Sequence, residues 1–273
     1  MKQNVESKIN ELLVTGYKTS FNSVFGKASD IFKGIAGYAI LAFVVYFIAS
    51  MIISSVIGLL FPVAAMDYNE VMDTIQGGDN EALRDLLTQY SQNTSYIYSI
   101  VNNLITAALY PILYSIFTMA YKFDNYKNVE ISDIFIHYRD GKFLNIFLAS
   151  LIISIISMIG IILCIIPGFI IYAVTLLVVP LIIFADADIK QALNYGVKLG
   201  FKDLGSFILL LLSIIGVLIV GLLLCCVGLI AAVPFVYVLI YSFYKEIVGF
   251  PDNHTEIDEI GTDIYKDNPY MNS

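Results

Sequence analysis

Histidine, cysteine and tryptophan are rare in this sequence of 273 residues, which contains two, three and none of them respectively. The two histidines, His137 and His254, lie far apart along the chain. Without a histidine cluster at ligand spacing, a multi-histidine iron or zinc enzyme is excluded. The sequence also lacks a glycine-rich phosphate loop and a serine nucleophile motif. It therefore predicts no cofactor, no metal site and no enzymatic activity.

Charged residues are also scarce, at 14% of the chain against 58% hydrophobic residues, whereas a soluble domain carries about 25% charged residues. Four apolar blocks exceed the roughly 18 consecutive apolar residues that cross a bilayer. The last two, 144–185 and 205–244, are each about twice that length, and Pro167–Gly168 and Gly228 interrupt them. Each interruption predicts a helical hairpin with a tight turn.

The predicted fold class is all-α: a polytopic transmembrane helical bundle of about six spans, forming three hairpins that each follow a cytoplasmic amphipathic helix. Residues 1–34 are predicted as an amphipathic interfacial helix because apolar residues recur every three or four positions from Val5 to Phe32. Residues 35–249 form the membrane domain, with an outer acidic loop at 62–95, and 250–273 form an acidic cytoplasmic tail. The predicted spans are 35–61, 96–120, 144–165, 168–185, 205–226 and 229–247.

The basic residues are sorted by segment. The segments before span one, between spans two and three, between four and five, and after six hold five, four, three and two bases. The acidic loop holds only Arg84, and the hairpin turns hold none. Because bases in short loops stay on the cytoplasmic side, both termini are predicted inside. Lysine outnumbers arginine 13 to 2, tryptophan is absent, and tyrosine and phenylalanine together number 37. This bias is typical of an AT-rich bacterial genome, so the expected location is the inner membrane.

Two internal similarities suggest repeated units. When the sequence is aligned with itself at an offset of 61 residues, Gly160, Leu163 and Cys164 match Gly221, Leu224 and Cys225. A shift of 103 places 29–32 on the identical 132–135. Chance similarity between apolar segments is the alternative.

A lysine stripe lies on the predicted amphipathic helix between spans four and five. Lys190, Lys198 and Lys202 share one side of this helix, opposite an apolar face. Ammonium groups beside an apolar face suit anionic lipid headgroups at the inner leaflet. We therefore predict that these lysines contact lipid headgroups.

Span two contains the polar residues Asn102 and Asn103 together with Pro111. The asparagines could line a polar pocket with the carbonyl group that the proline leaves without a donor. The more common alternative is an interhelical hydrogen bond that holds the bundle together. No ionisable residue lies well inside a predicted span, which lowers the odds of an ion-coupled transporter.

Several other polar residues have a functional and a structural interpretation. Paired carboxylates with an arginine could act on a headgroup as acid and base, but helix capping and ion pairing are more common roles. A Cys164–Cys225 disulfide is one interpretation of the cysteines, and small buried packing residues the other. The acidic loop could hold calcium, although a solvated acidic face is more common. The candidate acid and base residues are Asp133, Arg139, Asp140, Asp186 and Asp188. The cysteines are Cys164, Cys225 and Cys226, and the candidate calcium ligands are Asp67, Glu70 and Asp73.

The stretch from Ile131 to Gly249 resembles a family of uncharacterised bacterial integral membrane proteins. This family is related to the membrane domain of glycerophosphoryl diester phosphodiesterases. The resemblance rests on Ile166-Pro167-Gly168, Pro180, Asp186, Ala192-Leu193, Leu199-Gly200, Gly228 and Pro234. It implies a multi-span membrane domain without an established activity of its own. The phosphodiesterase chemistry of the fused relatives belongs to a separate soluble barrel that this chain lacks, so no catalytic residue carries over.

Together these patterns predict a non-enzymatic inner-membrane protein that contacts lipids. Membrane lipids are the expected partners, with another membrane protein as the alternative, and the net charge of −8 speaks against nucleic acid. The alternative function is a transporter or channel for a neutral or lipid-like solute. It is motivated by the repeats and by a proline in the second helix of each hairpin, at Pro111, Pro180 and Pro234.

Overall fold

The structure is a computed structural model that describes residues 1–60, 68–93, 96–163, 165–224 and 227–250. These residues are almost entirely helical, and they contain no strand. The all-α prediction is therefore confirmed. The tail after residue 250 lies outside the described part of the chain, as do Asp67 and the three cysteines.

The amino-terminal region consists of two helices, α1 (Gln3–Thr15) and α2 (Phe21–Leu60). The sequence predicted one surface helix from Val5 to Phe32 followed by a separate span. Instead, Gly16 ends α1 with a φ of +81°, a conformation that side chains with a Cβ rarely adopt. The second half of the predicted surface helix continues without a break into the first span.

The next helices are α3 (Tyr68–Gly77), α4 (Asn80–Asn93) and α5 (Tyr96–Tyr126). Pro111 lies inside α5 and removes the donor that would serve the Ala107 carbonyl. The carbonyl of Ala108, one residue further along, accepts a hydrogen bond from the Tyr138 hydroxyl at 2.8 Å. Tyr138 ends a 3-10 helix, Ile131–Tyr138, that packs along α5.

The first late hairpin consists of α6 (Phe143–Leu163), α7 (Ile165–Thr175) and α8 (Val178–Ala185). Its turn was predicted at Pro167–Gly168, but α7 already begins at Ile165. The first turn of a helix tolerates a proline. The predicted fourth span is also broken, between α7 and α8, because Pro180 cannot donate to the Leu176 carbonyl four residues earlier.

The remaining helices are α9 (Ile189–Lys202), α10 (Leu204–Leu223) and α11 (Val227–Ile247). In each of the two late hairpins, a pair of glycines allows the two helices to approach closely near the turn. A Cβ on Gly160 would lie 2.9 Å from the Gly168 Cα, and one on Gly228 would lie 2.5 Å from the Gly221 carbonyl oxygen. The repeat stays a prediction, since 29–32 lie in an α-helix and 132–135 in the 3-10 helix.

Within the described residues, five helices are long and apolar enough to cross a membrane: Phe21–Leu60, Ile100–Tyr126, Ile166–Ala185, Leu204–Leu223 and Gly228–Ile247. A sixth span results if the 3-10 helix and Phe143–Ser157, which are bent by 78°, are counted together. Large apolar side chains cover the outside of these helices, as expected for contact with lipid tails. Examples are Phe47, Met51 and Ile52 on α2, Ile155 on α6, and Leu212 and Ile219 on α10. The chain is a multi-pass membrane protein.

Ion pairs concentrate at one end of the bundle, which we call the charged end. It is formed by α1, the 3-10 helix, α9, the start of α2 and the last turns of α5 and α11, with ion pairs that involve Lys2, Lys27, Lys122, Lys142 and Lys245. α8 lies in the interior near this end, and seven of its eight residues are buried. α9 packs on α7 and α8, and α1 packs on α9.

Candidate lipid and solute sites

The predicted lysine stripe is exposed on α9. Lys190, Lys198 and Lys202 are all solvent-accessible, whereas the opposite face of the helix is buried at Ala192, Gly196, Leu199 and Gly200. The apolar face of α9 therefore packs against α7 and α8. A Cβ on Gly200 would lie 2.5 Å from the Val174 Cβ, so only a glycine allows this close approach.

α1 and the residues on either side of it hold α9 in position through polar contacts. The Tyr195 hydroxyl donates to Glu6 at 2.8 Å, the Tyr17 hydroxyl donates to the Leu199 carbonyl at 2.5 Å, and the amino terminus donates to Gln191 at 3.2 Å. Asp188 caps α9 by accepting from the Gln191 N–H at 2.8 Å. For Asp188, capping is the interpretation that the structure supports.

Two large apolar side chains are exposed beside the lysine stripe. Phe201 on α9 is 60% exposed, and Val14 on α1 is 82% exposed. The Lys202 ammonium group lies 3.4 Å from the Val14 carbonyl oxygen. Exposed apolar groups next to ammonium groups are typical of a surface at the boundary between lipid tails and headgroups.

Asp140 and Asp186 both contact Lys142. Asp140 Oδ1 accepts from the Lys142 backbone N–H at 2.9 Å, and Asp186 Oδ1 lies 2.5 Å from the Lys142 ammonium nitrogen. Lys2 also pairs with Asp186, at 3.5 Å. The Lys142 ammonium group additionally donates to the Ile183 carbonyl. The two carboxylates therefore contact opposite ends of the same lysine, Asp140 its backbone N–H and Asp186 its ammonium group.

Asp140 also contacts His137, which is 1% exposed. Nδ1 of His137 lies 2.8 Å from Asp140 Oδ2, and Nε2 lies 3.3 Å from the Thr118 hydroxyl oxygen. A neutral imidazole that donates from Nδ1 and accepts at Nε2 satisfies both contacts. The histidine therefore joins the segment before α6 to α5.

The pKa values of both carboxylates are lowered. Burial would raise the pKa of Asp140, but hydrogen bonds from His137 and the Lys142 N–H hold it below its usual value. Burial would likewise raise the pKa of Asp186, but Lys142 and Lys2 lower it. Both groups are therefore ionised at neutral pH. Neither has the raised pKa that a general acid requires, which favours ion pairing as their role.

The polar residues predicted in span two do not line the cavity described next. Asn102 Oδ1 accepts a hydrogen bond from the Ser54 hydroxyl at 2.8 Å, which joins α5 to α2. Asn103 is exposed, and Pro111 is buried. This arrangement favours the interhelical hydrogen bond over the polar pocket.

A cavity of about 220 Å³ lies inside the bundle, between α5, α6, α7, α8, α10 and α11. Most of its lining is apolar, but Tyr114, Tyr172, Tyr237 and Thr175 also contribute. Thr175 is next to the break between α7 and α8, and Leu176 at that break also lines the cavity. An irregular segment at membrane depth is tolerated where it lines a cavity or is buried in protein.

None of these tyrosines was predicted as a site residue from the sequence. Tyr114 and Tyr237 pack edge to face, with ring centroids 5.8 Å apart, and Tyr110 and Tyr46 stack next to them at 6.1 Å. The sequence did contain a signal for them, because each of these tyrosines places a hydroxyl group within a predicted membrane span. Their convergence depends on how four helices pack, which the sequence pattern does not specify.

No protein-family model matches the chain. Comparisons with curated proteins and with solved structures also give no significant match. The resemblance to the membrane domain of glycerophosphoryl diester phosphodiesterases therefore stays a prediction.

Proposed function

We propose that this chain is a non-enzymatic protein of the bacterial inner membrane that binds anionic lipids of the cytoplasmic leaflet with its charged end. The observation that carries the proposal is the exposed stripe of Lys190, Lys198 and Lys202 beside exposed Phe201. Because the other face of α9 is buried on α7 and α8, these lysines are held in place on a rigid support. Each lysine contributes about 1 kcal/mol at an anionic surface.

Engagement of the carboxylates supports a non-enzymatic role. Asp133, Asp186 and Asp124 each pair with a lysine within 2.6 Å. Asp140 and Asp188 are occupied by His137 and by the start of α9. Carboxylates that already neutralise lysines and cap helices lack a free acid and base pair for joint catalysis.

Lipid retention in native mass spectrometry tests the proposal. The purified protein is exchanged into mixed micelles with equal amounts of phosphatidylglycerol and phosphatidylcholine, and the retained lipids are counted. We expect the wild type to prefer phosphatidylglycerol. Combined Lys190→Gln, Lys198→Gln and Lys202→Gln should weaken this preference at least about tenfold, given the contribution of each lysine.

A matched control removes three exposed bases elsewhere at the charged end, through Lys8→Gln, Lys18→Gln and Arg139→Gln. It changes the net charge equally, so it should retain most of the preference. If the control loses as much as the α9 variant, the lipids respond to overall charge and the stripe has no specific role.

The tyrosine-lined cavity favours a second candidate, passage of a small neutral solute. Hydroxyl groups inside an otherwise apolar bundle provide hydrogen bonds for an uncharged polar molecule, and the break between α7 and α8 resembles the discontinuous helices of transporters. Uptake of neutral solutes into proteoliposomes tests this alternative. Tyr172→Phe and Tyr237→Phe should slow uptake, and equal leakage from liposomes without the protein would eliminate the candidate.

A further inference from the structure

A second group of lysines surrounds a cleft between α2, α5 and α11 at the charged end. The cleft has a volume of about 190 Å³, and Lys27, Lys127, Lys245 and Ser242 lie in its wall. These residues come from different parts of the chain, and α9 contributes none of them. The cleft is therefore separate from the lysine stripe, and its role does not rest on the function proposed above.

Two of the three lysines have a carboxylate partner, and the third contacts an aromatic ring instead. Lys27 contacts Glu246 at 2.7 Å, and Lys245 contacts Asp124 at 2.6 Å. An ammonium group has three donors, so one ion pair leaves further donors available. Lys127 instead lies over the Phe123 ring, 4.1 Å from its centroid. The ring holds this ammonium group near the wall of the cleft without neutralising its charge.

The wall also contains the carboxylates Asp30 and Asp124. Asp30 is paired with Lys33 at 3.1 Å, and Asp124 accepts hydrogen bonds from both Lys245 and the Tyr241 hydroxyl. With the partners Lys33 and Glu246 included, four ammonium groups and three carboxylates meet at the cleft. Among the residues that the structure describes, one positive charge of the cleft remains without a matching carboxylate.

Ser242 provides independent evidence that the cleft has a ligand. Its side chain is 1% exposed, and its hydroxyl group has no hydrogen-bond partner among the described residues. A serine in a helix normally donates to a carbonyl group one turn earlier. A buried hydroxyl without a partner is costly and calls for a bound group. The carboxyl ends of α5 and α11 explain why lysines occur there, but they do not explain this hydroxyl.

We propose that the cleft binds a phosphate group carrying one negative charge, which Lys27, Lys127 and Lys245 contact together with the Ser242 hydroxyl. The charge of a phosphodiester equals the single unmatched positive charge of the cleft. The phosphate group belongs to a lipid headgroup or to a soluble phosphate, which the experiment distinguishes.

Thermal unfolding of the purified full-length protein tests the proposal. Inorganic phosphate and dioctanoyl phosphatidylglycerol are titrated in separate arms at constant ionic strength, with sodium chloride as the reference. A ligand that binds the native state raises Tm in a saturable manner. A rise with the lipid alone identifies a headgroup site, and an equal rise with inorganic phosphate identifies a soluble ligand. No saturable rise in either arm overturns the proposal.

Two variants examine the cleft itself. Lys127 has a φ of +55°, which asparagine tolerates, so Lys127→Asn removes the charge at little cost to folding. Ser242→Ala should raise Tm without ligand, because it removes an unpartnered buried hydroxyl. Each substitution should weaken binding at least about tenfold through the loss of a contact to a charged group. Binding of wild-type strength in both variants overturns the proposal.

Lys198→Asn on α9 is the matched control, since it removes one exposed lysine outside the cleft. It should leave phosphate binding unchanged. If Lys198→Asn weakens binding as much as Lys127→Asn, the phosphate group is bound by α9. The cleft proposal then fails, while the proposed function of the lysine stripe stands.

Discussion

The carboxylate of Asp133 is buried in an ion pair with Lys122. Its side chain is 4% exposed, and it lies 2.5 Å from the ammonium nitrogen of Lys122. It also accepts a hydrogen bond from the Glu130 N–H at 3.0 Å. We expect Asp133→Asn to lower the free energy of unfolding by about 3 kcal/mol, because it leaves the partly buried Lys122 without a counter-charge. Unfolding followed by circular dichroism in detergent measures this loss.

The pair of Lys33 and Asp30 provides the control for this prediction. Both side chains are at least 75% exposed, and exposed ion pairs contribute little. Lys33→Gln should therefore change the free energy of unfolding by less than about 0.5 kcal/mol. Equal losses for Asp133→Asn and Lys33→Gln would show that the burial of Asp133 does not determine its contribution.

The sequence located part of the charged end at the level of single residues. It predicted that Asp133, Arg139 and Asp140 lie on the same side of the membrane as Asp186 and Asp188, because the order of spans brings both segments there. It did not predict that Asp140 and Asp186 both contact Lys142, nor the pairing of Asp133 with Lys122. These contacts depend on the path of the 3-10 helix along α5, and helical periodicity carries no information about that path.

At the scale of helices, two glycines determine how α9 docks. A Cβ on Gly200 would lie 2.5 Å from the Val174 Cβ and 2.7 Å from its Cα, and backbone-linked atoms cannot rotate away. Gly200→Ala should therefore lower the free energy of unfolding by about 1–3 kcal/mol through overpacking. Gly37→Ala in α2 is the control, since its Cβ would meet nothing within 4 Å. A helix-interior alanine there should be neutral or stabilising by up to about 1 kcal/mol.

The same unfolding assay applies to both glycine variants. If Gly200→Ala is as stable as the wild type, α9 does not pack on α7 as closely as the structure describes. Gly196 provides a second position, because a Cβ there would lie 3.0 Å from a methyl group of Val178. That methyl group belongs to a side chain and has more freedom to move, so we expect the smaller effect at Gly196.

Apolar periodicity predicted which segments are helices but not where some of them break. The segments that are long and apolar enough to cross a membrane were predicted from runs of apolar residues, and these runs largely coincide with the helices. The break between α7 and α8 results from Pro180, whose missing donor acts four residues earlier, at Leu176. From the sequence, residues 168–185 were predicted as one continuous span across Pro180, without this break.

At the scale of the whole molecule, contacts at the charged end constrain the number of crossings. α1 and α9 touch through Tyr195 and Glu6, and through Tyr17 and Leu199. Two segments on the same side of a membrane are separated by an even number of crossings. Between them lie α2, α5, the bent segment with α6, and the α7–α8 pair. The bent segment must then count as a span, which favours six crossings over five.

Labelling of single cysteines in intact bacteria tests this topology together with the proposed cytoplasmic side. In a cysteine-free background, Lys8→Cys on α1, Asp85→Cys on α4 and Lys198→Cys on α9 each place a thiol at an exposed position. With six spans and a cytoplasmic charged end, a membrane-impermeant maleimide should label only Asp85→Cys until the cells are permeabilised. Protection of Lys8→Cys with labelling of Lys198→Cys would indicate an odd number of crossings between α1 and α9. Labelling of both, with Asp85→Cys protected, would place the lysine stripe on the outer leaflet, where it could not bind the cytoplasmic lipids that the proposed function requires.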